Sequence, residues 1–289
     1  MKKALIIGGG PAGISASLYL ARSGAVHVTV VTNGKSSLEK AERIENYFGF
    51  AQPVSGKELL ENGRAGAQRL GVVFHDTELL ELGITPELKF EAETTLGKET
   101  YDAVLIAVGA ARRRPSVKGI GEFEGRGVSY CAVCDAFFYR GKNVAVIGQG
   151  RYAVHEAETL RQTSASVTLL TNGSEPDAEI PDGIDIIDKK ISEIVGDSKV
   201  CAVMFGDGSK KETDGVFIAM GSAGSGEIAR KTGVSAENGV IITDKDMATN
   251  IPGIYAAGDC TGGLMQISKA VGDGAIAAMS MIRFLKALP

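Results

Sequence analysis

Two stretches of the chain repeat one order of apolar and polar positions. In each, a short apolar run ends in glycine, a segment with apolar residues at helical spacing follows, and a second apolar run comes next. The runs cover 4–7, 14–23 and 28–31 in the first stretch and 143–147, 153–161 and 167–170 in the second. Short apolar runs bounded by glycine are typical of buried strands, and helical spacing indicates a helix packed on them. Each stretch therefore predicts a strand–turn–helix–strand unit.

Two more apolar runs end in glycine, at 103–109 and 216–221, and a third, at 253–259, ends in Gly258-Asp259. Strands that alternate with helices predict a parallel sheet. The predicted fold class is α/β, with two Rossmann-like domains that are doubly wound and three-layered, the second inserted in the first. We assign residues 1–114 and 246–289 to the first domain and residues 115–245 to the second.

Composition narrows the range of functions. The length of 289 residues suits two domains, and 44% hydrophobic residues allow each to form a core. The net charge of −4 argues against general nucleic-acid binding. The first apolar run is too short for a signal peptide, and no run approaches the roughly 20 apolar residues of a membrane span. We therefore expect a cytoplasmic protein that binds neither nucleic acid nor membrane.

The first glycine turn has the spacing of a dinucleotide site. Gly8, Gly10 and Gly13 follow a strand and open a helix. Glycine allows a sharp turn and lets a pyrophosphate approach the free amides of the helix N-terminus. A ribose-binding acid normally follows about 20 residues later. Thr32 and Asn33 stand there instead, and both can hydrogen-bond a hydroxyl. By itself, the spacing is also compatible with a structural turn.

Two of the four cysteines, Cys131 and Cys134, are separated by only two residues. Structural disulfides are rare in the cytoplasm, so this pair indicates redox chemistry or metal binding. A zinc site needs two further ligands nearby, and the histidines are scattered, so we predict no metal. A thiolate is the nucleophile of disulfide exchange, and Asp135 is placed to deliver protons to it. The alternative role for Asp135 is a helix N-cap. Cys201 lies in an apolar strand pattern and is expected to pack.

Several segments together resemble the low-molecular-weight thioredoxin reductases over nearly the whole chain. The most specific is the run from Cys131 to Tyr139, Cys-Ala-Val-Cys-Asp-Ala-Phe-Phe-Tyr. The others are 8–13 (Gly-Gly-Gly-Pro-Ala-Gly), 45–50 (Glu-Asn-Tyr-Phe-Gly-Phe), 254–259 (Ile-Tyr-Ala-Ala-Gly-Asp) with Gln266, and 272–275 (Gly-Asp-Gly-Ala). The resemblance implies an FAD-dependent thioredoxin-disulfide reductase that works as a homodimer. It also implies that the inserted domain rotates to expose the cysteines.

The resemblance further implies which residues act. Cys134 would face the flavin, and Cys131 would attack thioredoxin. Asn46 and Gln266 would lie by the isoalloxazine ring, and Asp259 would hold the ribityl–phosphate region. The expected FAD-binding residues are Gly8, Gly10, Pro11, Ala12, Gly13, Thr32, Asn33, Asn46, Gly109, Gly258, Asp259, Gln266 and Ile267.

The second glycine turn departs from this family. The spacing Gly148-x-Gly150-x-x-Ala153 is kept, but Thr171-Asn172-Gly173 replaces the basic cluster that binds the 2′-phosphate of NADPH. No Arg or Lys occurs between Arg161 and Lys189. The same interval contains the acids Glu175, Asp177, Glu179, Asp182, Asp185 and Asp188. A 2′-phosphate placed there would meet like charge instead of arginine.

Other features of this segment also disfavour a nicotinamide nucleotide. Arg151 and Tyr152 are bulky where the turn should leave its backbone open. The segment 171–183 is short and contains two prolines, which leaves little room for a helix. NAD needs an acid on its ribose, and the strand ends without one. These departures resemble the ferredoxin-linked flavin thioredoxin reductases, which take single electrons from ferredoxin. The predicted path is ferredoxin, FAD, the Cys131–Cys134 disulfide and thioredoxin.

Local charge favours an acidic donor such as ferredoxin. Residues 112–161 contain nine basic and five acidic side chains in a chain that is negative overall. Arg112, Arg113 and Arg114 are the first candidates for docking, and an ordinary solvated surface is the alternative. Two other functions stay open. One is an NADPH-dependent thioredoxin reductase with an atypical phosphate site, and the other is a non-catalytic electron-transfer or redox-sensing flavoprotein.

Overall fold

The structure, a computed structural model, describes residues 1–33, 36–110, 117–130, 132–176, 178–220, 224–237 and 239–289, with the backbone alone at 133 and 134. Its internal contacts divide the chain into two units. Unit 1 comprises Met1–Arg112 and Gly224–Pro289, and unit 2 comprises Arg113–Ala223. Unit 2 is therefore an insertion in unit 1.

The helices and strands follow one another in a repeating order. Unit 1 begins with β1 (Lys2–Ile7), α1 (Pro11–Arg22), β2 (Val26–Thr32), α2 (Gly56–Arg69), β3 (Val73–Asp76), β4 (Leu79–Ile84), β5 (Phe90–Thr94), β6 (Gly97–Tyr101) and β7 (Ala103–Ile106). Unit 2 contains β8 (Val128–Ser129), α3 (Ala132–Asp135), β9 (Asn143–Ile147), α4 (Arg151–Arg161), β10 (Ser166–Leu170), β11 (Asp185–Ile187), β12 (Ile191–Gly196), β13 (Val200–Phe205), β14 (Lys210–Glu212) and β15 (Gly215–Ile218). Unit 1 resumes with α5 (Ser225–Thr232), β16 (Ala236–Glu237), β17 (Val240–Ile241), β18 (Ile254–Ala256) and α6 (Ile267–Ala287). Short 3₁₀ turns cover Ser37–Lys40, Ala136–Tyr139 and Asp259–Thr261.

Each unit contains a parallel sheet and a three-stranded antiparallel sheet. Unit 1 has a five-stranded parallel sheet in the order β18-β7-β1-β2-β3, and unit 2 has one in the order β8-β15-β9-β10-β11. Each unit adds a three-stranded antiparallel sheet at the same place in the chain, β4-β5-β6 in unit 1 and β12-β13-β14 in unit 2. Parallel strands joined through helices are the Rossmann pattern. The predicted α/β fold with two Rossmann-like domains is confirmed.

Close packing in the core of unit 1 holds the N-terminal end of α1 in place. β1 is buried from Ala4 to Ile7, and β7 is buried throughout, as expected for strands covered on both faces. Helices α1 and α6 approach closely because small residues meet between them. A Cβ on Gly274 would collide with the carbonyl oxygen of Ala12. The beginning of α1 is thereby held against α6.

Unit 2 has its own core between its two sheets, and α4 also packs on the parallel sheet. The buried core joins strands of both sheets and includes Ala145, Ile147, Leu170, Ile194, Val203, Val216 and Ile218. The buried residues of α4 are Tyr152, Ala153, Val154, Glu156, Ala157 and Leu160. One of them, Glu156, is a carboxylate on an otherwise mainly apolar face.

The second boundary between the units differs from the predicted one. The sequence assigned residues 224–245 to the inserted domain, whereas the structure places them in unit 1. Helix α5 accounts for the difference because it packs against β4. Lys231 Nζ, at its C-terminal end, donates to the carbonyl oxygen of Leu80 at 3.4 Å. An apolar helix face is visible in a sequence, but the core that it meets is not.

Helices α1 and α4 begin earlier than predicted. They start at Pro11 and Arg151, because the extended residues Gly10 and Gly150 serve as their N-caps. The first helical turn does not depend on apolar spacing, so the pattern could not locate it. Between 171 and 184, the described residues form turns and no helix, as the prolines predict. Throughout the described part of the chain, no helix has the length and apolar character needed to cross a membrane.

Candidate functional site

The glycine turn of unit 1 forms an open cradle at the start of α1. Gly8 has φ +117°, and a Cβ there would collide with the carbonyl oxygen of Ala107. A Cβ on Gly13 would collide with the carbonyl oxygen of Gly8. Gly10 is different, because among the described residues the nearest atom to its Cβ position is Ser36 Oγ at 3.9 Å. The glycine turn therefore has no room for a side chain at Gly8 or Gly13 but is open at Gly10. No acidic residue lies in the first helical turn of α1. This arrangement suits an anion.

A cleft of about 230 Å³ lies beside this turn. It is lined by Gly9, Ile14, Thr32, Ser36, Glu39, Lys57, Leu60, Glu61, Arg64 and Phe74. The guanidinium carbon of Arg64 lies 4.7 Å from the centroid of the Phe74 ring. Arg64 also donates two hydrogen bonds to Asp76, at 2.7 and 2.8 Å, and this bonding lowers the pKa of the Asp76 carboxyl. The cleft suits a nucleoside, because it offers an aromatic ring, a fixed cation and the Thr32 hydroxyl. Asn33 follows Thr32 directly in the chain.

The loop at Gly258 and Asp259 lies against the same glycine turn. Gly258 has φ +83°, and a Cβ there would lie 2.9 Å from Ala12 Cβ. The Gly258 amide donates to Asp273 Oδ2 at 3.2 Å, and its carbonyl oxygen accepts from Lys269 Nζ at 3.1 Å. Lys269 and Asp273 also form an ion pair at 2.8 Å. Helix α6 therefore fixes the loop that contains Asp259 beside the start of α1.

Asn46 and Gln266 meet, although they are distant in the sequence. Asn46 Nδ2 donates to Gln266 Oε1 at 3.2 Å, and both residues are exposed. Gln266 is the extended N-cap of α6 and Ile267 is its first residue, with no acid in the first turn. Gly109, after β7, has φ +78°, and no atom of the described part of the chain lies within 4 Å of its Cβ position. Amide side chains beside a second helix N-terminus suit a heterocycle rich in hydrogen-bonding atoms.

The redox turn, by which we mean residues 131–135, lies in unit 2. Cys131 lies outside the described residues, and Cys134 belongs to α3. Asp135 accepts a hydrogen bond from Ser129 Oγ at 2.6 Å. Asp135 precedes the following 3₁₀ turn, but its side chain makes no capping hydrogen bond there. Asp135 thus stands at the N-cap position, as the alternative proposes, but its carboxylate bonds to the Ser129 hydroxyl instead of to the 3₁₀ turn.

A buried carboxylate of α4 also reaches the redox turn. Glu156 is 1% exposed, and its Oε2 accepts the backbone N–H of Ala132 at 2.7 Å. That N–H belongs to the peptide bond that joins Cys131 to Ala132. The first peptide of the turn is thus bonded to a different helix of unit 2.

Two exposed aromatic side chains follow the redox turn. Phe137 is 73% exposed and Phe138 is 65% exposed, with their ring centroids 6.0 Å apart. The guanidinium carbon of Arg140 lies 5.9 Å from the centroid of the Phe137 ring. Burial, followed by the charge of Asp135, raises the pKa of Tyr139. Adjacent exposed aromatic rings are typical of a surface that docks another protein.

The second glycine turn differs from the first in the side chains around it. Gly148 has no room for a side chain, because a Cβ there would lie 2.6 Å from Ala153 Cβ. The prediction that Tyr152 competes with a pyrophosphate is wrong. Tyr152 has no exposed surface and lies inside unit 2, because the second residue of α4 faces the core. Arg151 is exposed.

The end of β10 is closed by its own side chains. Asn172 has φ +56°, and its Oδ1 accepts the backbone N–H of Ile191 at 2.8 Å. Thr171 is 2% exposed, so its hydroxyl faces the protein interior. The exposed acids after this strand are Glu175, Glu179, Asp182, Asp185 and Asp188, and Asp177 lies outside the described residues. The side chains at this strand end are thus engaged or buried, and the surface beyond them is acidic.

The two cysteines away from the redox turn have opposite surroundings. Cys260 is fully buried, its Sγ donates to the carbonyl oxygen of Ile106 at 3.3 Å, and burial raises the pKa of its thiol to about 12. Cys201 lies in β13 but is exposed, so the expectation that it packs is wrong. Side chains alternate across a strand, and Cys201 falls on the outward face.

Comparison with known proteins identifies the family. A family model described as pyridine nucleotide-disulphide oxidoreductase matches residues 2–274. Thioredoxin reductases of Listeria innocua and Aquifex aeolicus are each 34% identical to the chain, over 98% and 97% of it and 94% and 92% of their own lengths. The chain belongs to the thioredoxin reductase family.

Two solved structures of thioredoxin reductases are also similar to the chain. The atypical thioredoxin reductase TRi from Desulfovibrio vulgaris Hildenborough is 39% identical, with a TM-score of 0.93 over 99% of this chain and 98% of that one. A Ferredoxin-Flavin Thioredoxin Reductase from Clostridium acetobutylicum is 32% identical, with a TM-score of 0.77 over 99% of both chains. This thioredoxin reductase is thus an FAD-dependent oxidoreductase that acts on disulfides.

The residues of unit 1 fit FAD. The open side of the cradle at Gly10, next to the free N-terminus of α1, suits a diphosphate. The cleft beside it has room for a nucleoside, with Thr32 on its wall. The Gly258 loop and the Asn46–Gln266 pair supply polar groups for the rest of the molecule.

Sequence reasoning missed several residues of this thioredoxin reductase. Glu39 and Arg64 line the cleft, Lys269 fixes the Gly258 loop, and Ser129 and Glu156 contact the redox turn. Glu156 left a visible signal, because it lies four residues after one buried residue of α4 and four before another, in the middle of an apolar face. A carboxylate at such a position needs a partner. The other four occupy ordinary polar positions and left no such signal.

Proposed function

We propose that this thioredoxin reductase receives electrons from reduced ferredoxin and reduces thioredoxin through the Cys131–Cys134 pair. The observation that carries the donor assignment is the closed, acidic end of β10. Asn172 is bonded to Ile191, Thr171 is buried, and exposed acids follow. NADPH would need charge-assisted contacts to its 2′-phosphate at this place. Each lost contact costs about 1.5–3 kcal/mol, so the loss of two weakens binding on the order of a hundredfold or more.

The redox turn acts as the second electron carrier in this proposal. FAD, when bound, supplies the conversion between electrons taken singly and electrons delivered in pairs. Reduction of the disulfide takes up two electrons and two protons and leaves two thiols. Cys131 then attacks the disulfide of thioredoxin, Cys134 resolves the mixed disulfide, and Asp135 moves the protons beside them. The hydroxyl of Ser129 orients the Asp135 carboxylate for this task.

Thioredoxin is the acceptor in the proposal for two reasons. Relatives that match almost the whole chain are named thioredoxin reductases. The exposed rings of Phe137 and Phe138 directly follow the redox turn and offer an apolar surface to a small protein. Burial of such rings at an interface typically contributes much of the binding energy.

The ferredoxin assignment has two further lines of support. The solved structure from Clostridium acetobutylicum, whose name includes ferredoxin, matches 99% of this chain. The segment 112–161 is locally basic in an acidic protein, which suits an acidic carrier. Arg112, Arg113 and Arg114 remain the first docking candidates, and all three lie outside the described residues.

NADPH is the second candidate donor, and one observation favours it. Unit 2 keeps the β9–turn–α4–β10 unit, with Gly150 as an extended N-cap like Gly10 in unit 1. The side chain of Tyr152 is buried and does not obstruct this turn. Lys190 lies beside the end of β10, with its Cβ 3.6 Å from the Cβ position of Gly173. NADPH binding would require this lysine to replace the missing arginines.

Anaerobic rapid mixing tests the donor. The FAD-loaded protein is mixed with micromolar NADPH, NADH or reduced ferredoxin, and the flavin absorbance is followed. We expect rapid bleaching with ferredoxin alone, and a rate that falls as salt is added, because exposed charges are screened over about 8–10 Å. Rapid bleaching by micromolar NADPH would overturn the donor assignment.

A charge-reversal set tests the docking site. Arg112→Glu, Arg113→Glu and Arg114→Glu, combined, should slow reduction by ferredoxin, whereas Lys245→Glu, an exposed lysine elsewhere, should not. Equal rates for the two variants would refute docking at these arginines, but ferredoxin would still be the proposed donor. Turnover of thioredoxin in the same assay separates the enzyme from a non-catalytic electron carrier. The homodimer and the cytoplasmic location stay predictions, the former open to measurement by sedimentation.

A further inference from the structure

Helix α3, which contains most of the redox turn, is too short to be stable by itself. α3 has four residues, Ala132–Asp135. Helix formation has a costly nucleus, so a single turn is unstable unless other groups fix it. Contacts from outside the turn must therefore determine its shape.

The start of the turn is fixed by α4. Glu156 lies within the buried face of that helix and accepts the Ala132 N–H at 2.7 Å. At 1% exposure, the carboxylate is shielded from water that could replace this bond. An N–H at the first turn of a helix has no partner within the helix, so a side chain from outside must supply one.

The end of the turn is fixed by β8. Ser129 is 6% exposed, and its hydroxyl donates to Asp135 Oδ2 at 2.6 Å. The two contacts come from different elements of unit 2 and reach opposite ends of α3. Together they fix both ends of α3 through atoms other than the cysteine sulfurs.

We propose that Glu156 and Ser129 are positioning residues that keep the redox turn closed after its disulfide has been reduced. The inference rests on the proposed function, in which Cys131 and Cys134 alternate between a disulfide and two thiols. Reduction breaks the S–S bond, takes up two electrons and two protons, and removes the covalent link across the turn. The two hydrogen bonds then hold the thiols near one another, which maintains their high effective concentration for the return step.

The equilibrium between the thiols and the disulfide measures this effect. The FAD-loaded protein, in a Cys201→Ser background, is equilibrated anaerobically with glutathione and glutathione disulfide at a series of ratios. The reduced pair and glutathione disulfide exchange to give the protein disulfide and two glutathione thiols. Acid quenching, alkylation and mass spectrometry give the oxidised fraction, and hence the equilibrium constant for disulfide formation. This readout is independent of catalytic turnover.

Four variants separate positioning from general damage. Glu156→Ala and Ser129→Ala remove the hydrogen bonds to Ala132 and Asp135, and each should lower the equilibrium constant about five- to tenfold, the usual worth of one buried hydrogen bond. Glu156→Gln keeps an acceptor oxygen and should stay within about twofold of the parent. Ser166→Ala removes a hydroxyl that donates to Asn143 Oδ1 at 2.7 Å elsewhere in unit 2, and should also stay within about twofold.

The outcomes are distinguishable. Unchanged constants for Glu156→Ala and Ser129→Ala would overturn the inference, as would a fall for Glu156→Gln equal to that for Glu156→Ala. If Glu156→Ala fails to fold by circular dichroism, Ser129→Ala decides the result, since it removes a single oxygen atom. A parent protein that forms no Cys131–Cys134 disulfide at any ratio would instead refute the proposed function itself.

Discussion

Units 1 and 2 share the order of four strands, β7-β1-β2-β3 and β15-β9-β10-β11, but differ at the two places where a Rossmann domain meets its nucleotide. At the glycine turn, unit 1 has Ala12 where unit 2 has the larger, buried Tyr152. At the end of the second strand, unit 1 has an open cleft lined by Thr32, and unit 2 has Asn172 bonded to Ile191. The backbone design is shared, and the side chains at the strand ends are not.

The difference shows that the fold does not determine the ligand. A Rossmann unit supplies parallel strands and a free helix N-terminus, and local side chains decide what binds there. In unit 2, helix α4 occupies the place that α1 occupies in unit 1, yet it contributes Glu156 to the redox turn. We infer that unit 2 serves mainly to support the disulfide, and unit 1 to bind FAD.

The strongest test of this division removes the cysteines. Cys131→Ser and Cys134→Ser should each lower thioredoxin reduction at least on the order of a thousandfold, because the nucleophile or its partner is lost. Both variants should retain FAD, since the cofactor is assigned to unit 1. Steady-state turnover and the flavin absorbance per chain check the two statements. Near-normal turnover of Cys131→Ser would contradict the exchange mechanism.

The two remaining cysteines give the next largest contrast. The Cys260 thiol, with its pKa raised to about 12 by burial, should react with iodoacetamide at pH 8 at least about a thousandfold more slowly than an ordinary exposed thiol. Cys201 is exposed and should react in the native protein. Peptide mass spectrometry after timed alkylation measures both. The control is alkylation in denaturant, where the two should react alike, and fast native labelling of Cys260 would argue against its burial.

The matched positions of the two glycine turns sharpen the comparison further. Gly13→Ala should weaken FAD binding on the order of a hundredfold, because the new Cβ collides with the carbonyl oxygen of Gly8 and deforms the cradle. Ala153→Gly, the equivalent position in unit 2, should leave FAD bound and cost only about 1 kcal/mol of stability. Titration of the apoproteins with FAD and thermal unfolding compare them. Equal FAD affinities would mean that the cradle is not the FAD site.

The smallest effect concerns the ion pair beside the cleft of unit 1. The pKa of Asp76 is lowered by Arg64, so its contribution to stability is complete above the ordinary aspartate value near 4 and is lost as the pH falls through the lowered value. Asp76→Asn should reduce the free energy of unfolding by less than about 1 kcal/mol at pH 7, since both side chains are partly exposed. Urea unfolding at pH 7 and pH 3 tests this, and the difference from the parent should shrink at the lower pH. A difference that grows on acidification would assign Asp76 another role.

Much of the architecture could be predicted from the order of residues along the chain. Strands, glycine turns and helices are local patterns, and their repetition revealed the two Rossmann-like units. The family resemblance indicated FAD through short motifs such as Gly8 to Gly13, and the comparisons confirm both the cofactor and the family. The missing basic cluster after β10 was also visible in the sequence, and the structure adds that Asn172 is bonded to Ile191.

The sequence by itself determined which residue types stand at each turn, but tertiary structure decided which of them meet. The assignment of α5 to unit 1, the burial of Tyr152 and the contact between Asn46 and Gln266 all depend on residues far apart in the chain. The same is true of Glu156, which lies 24 positions from the amide that it accepts. Periodicity along a chain reports which face of an element is apolar. It does not report which neighbour covers that face, because the packing of whole elements determines that contact.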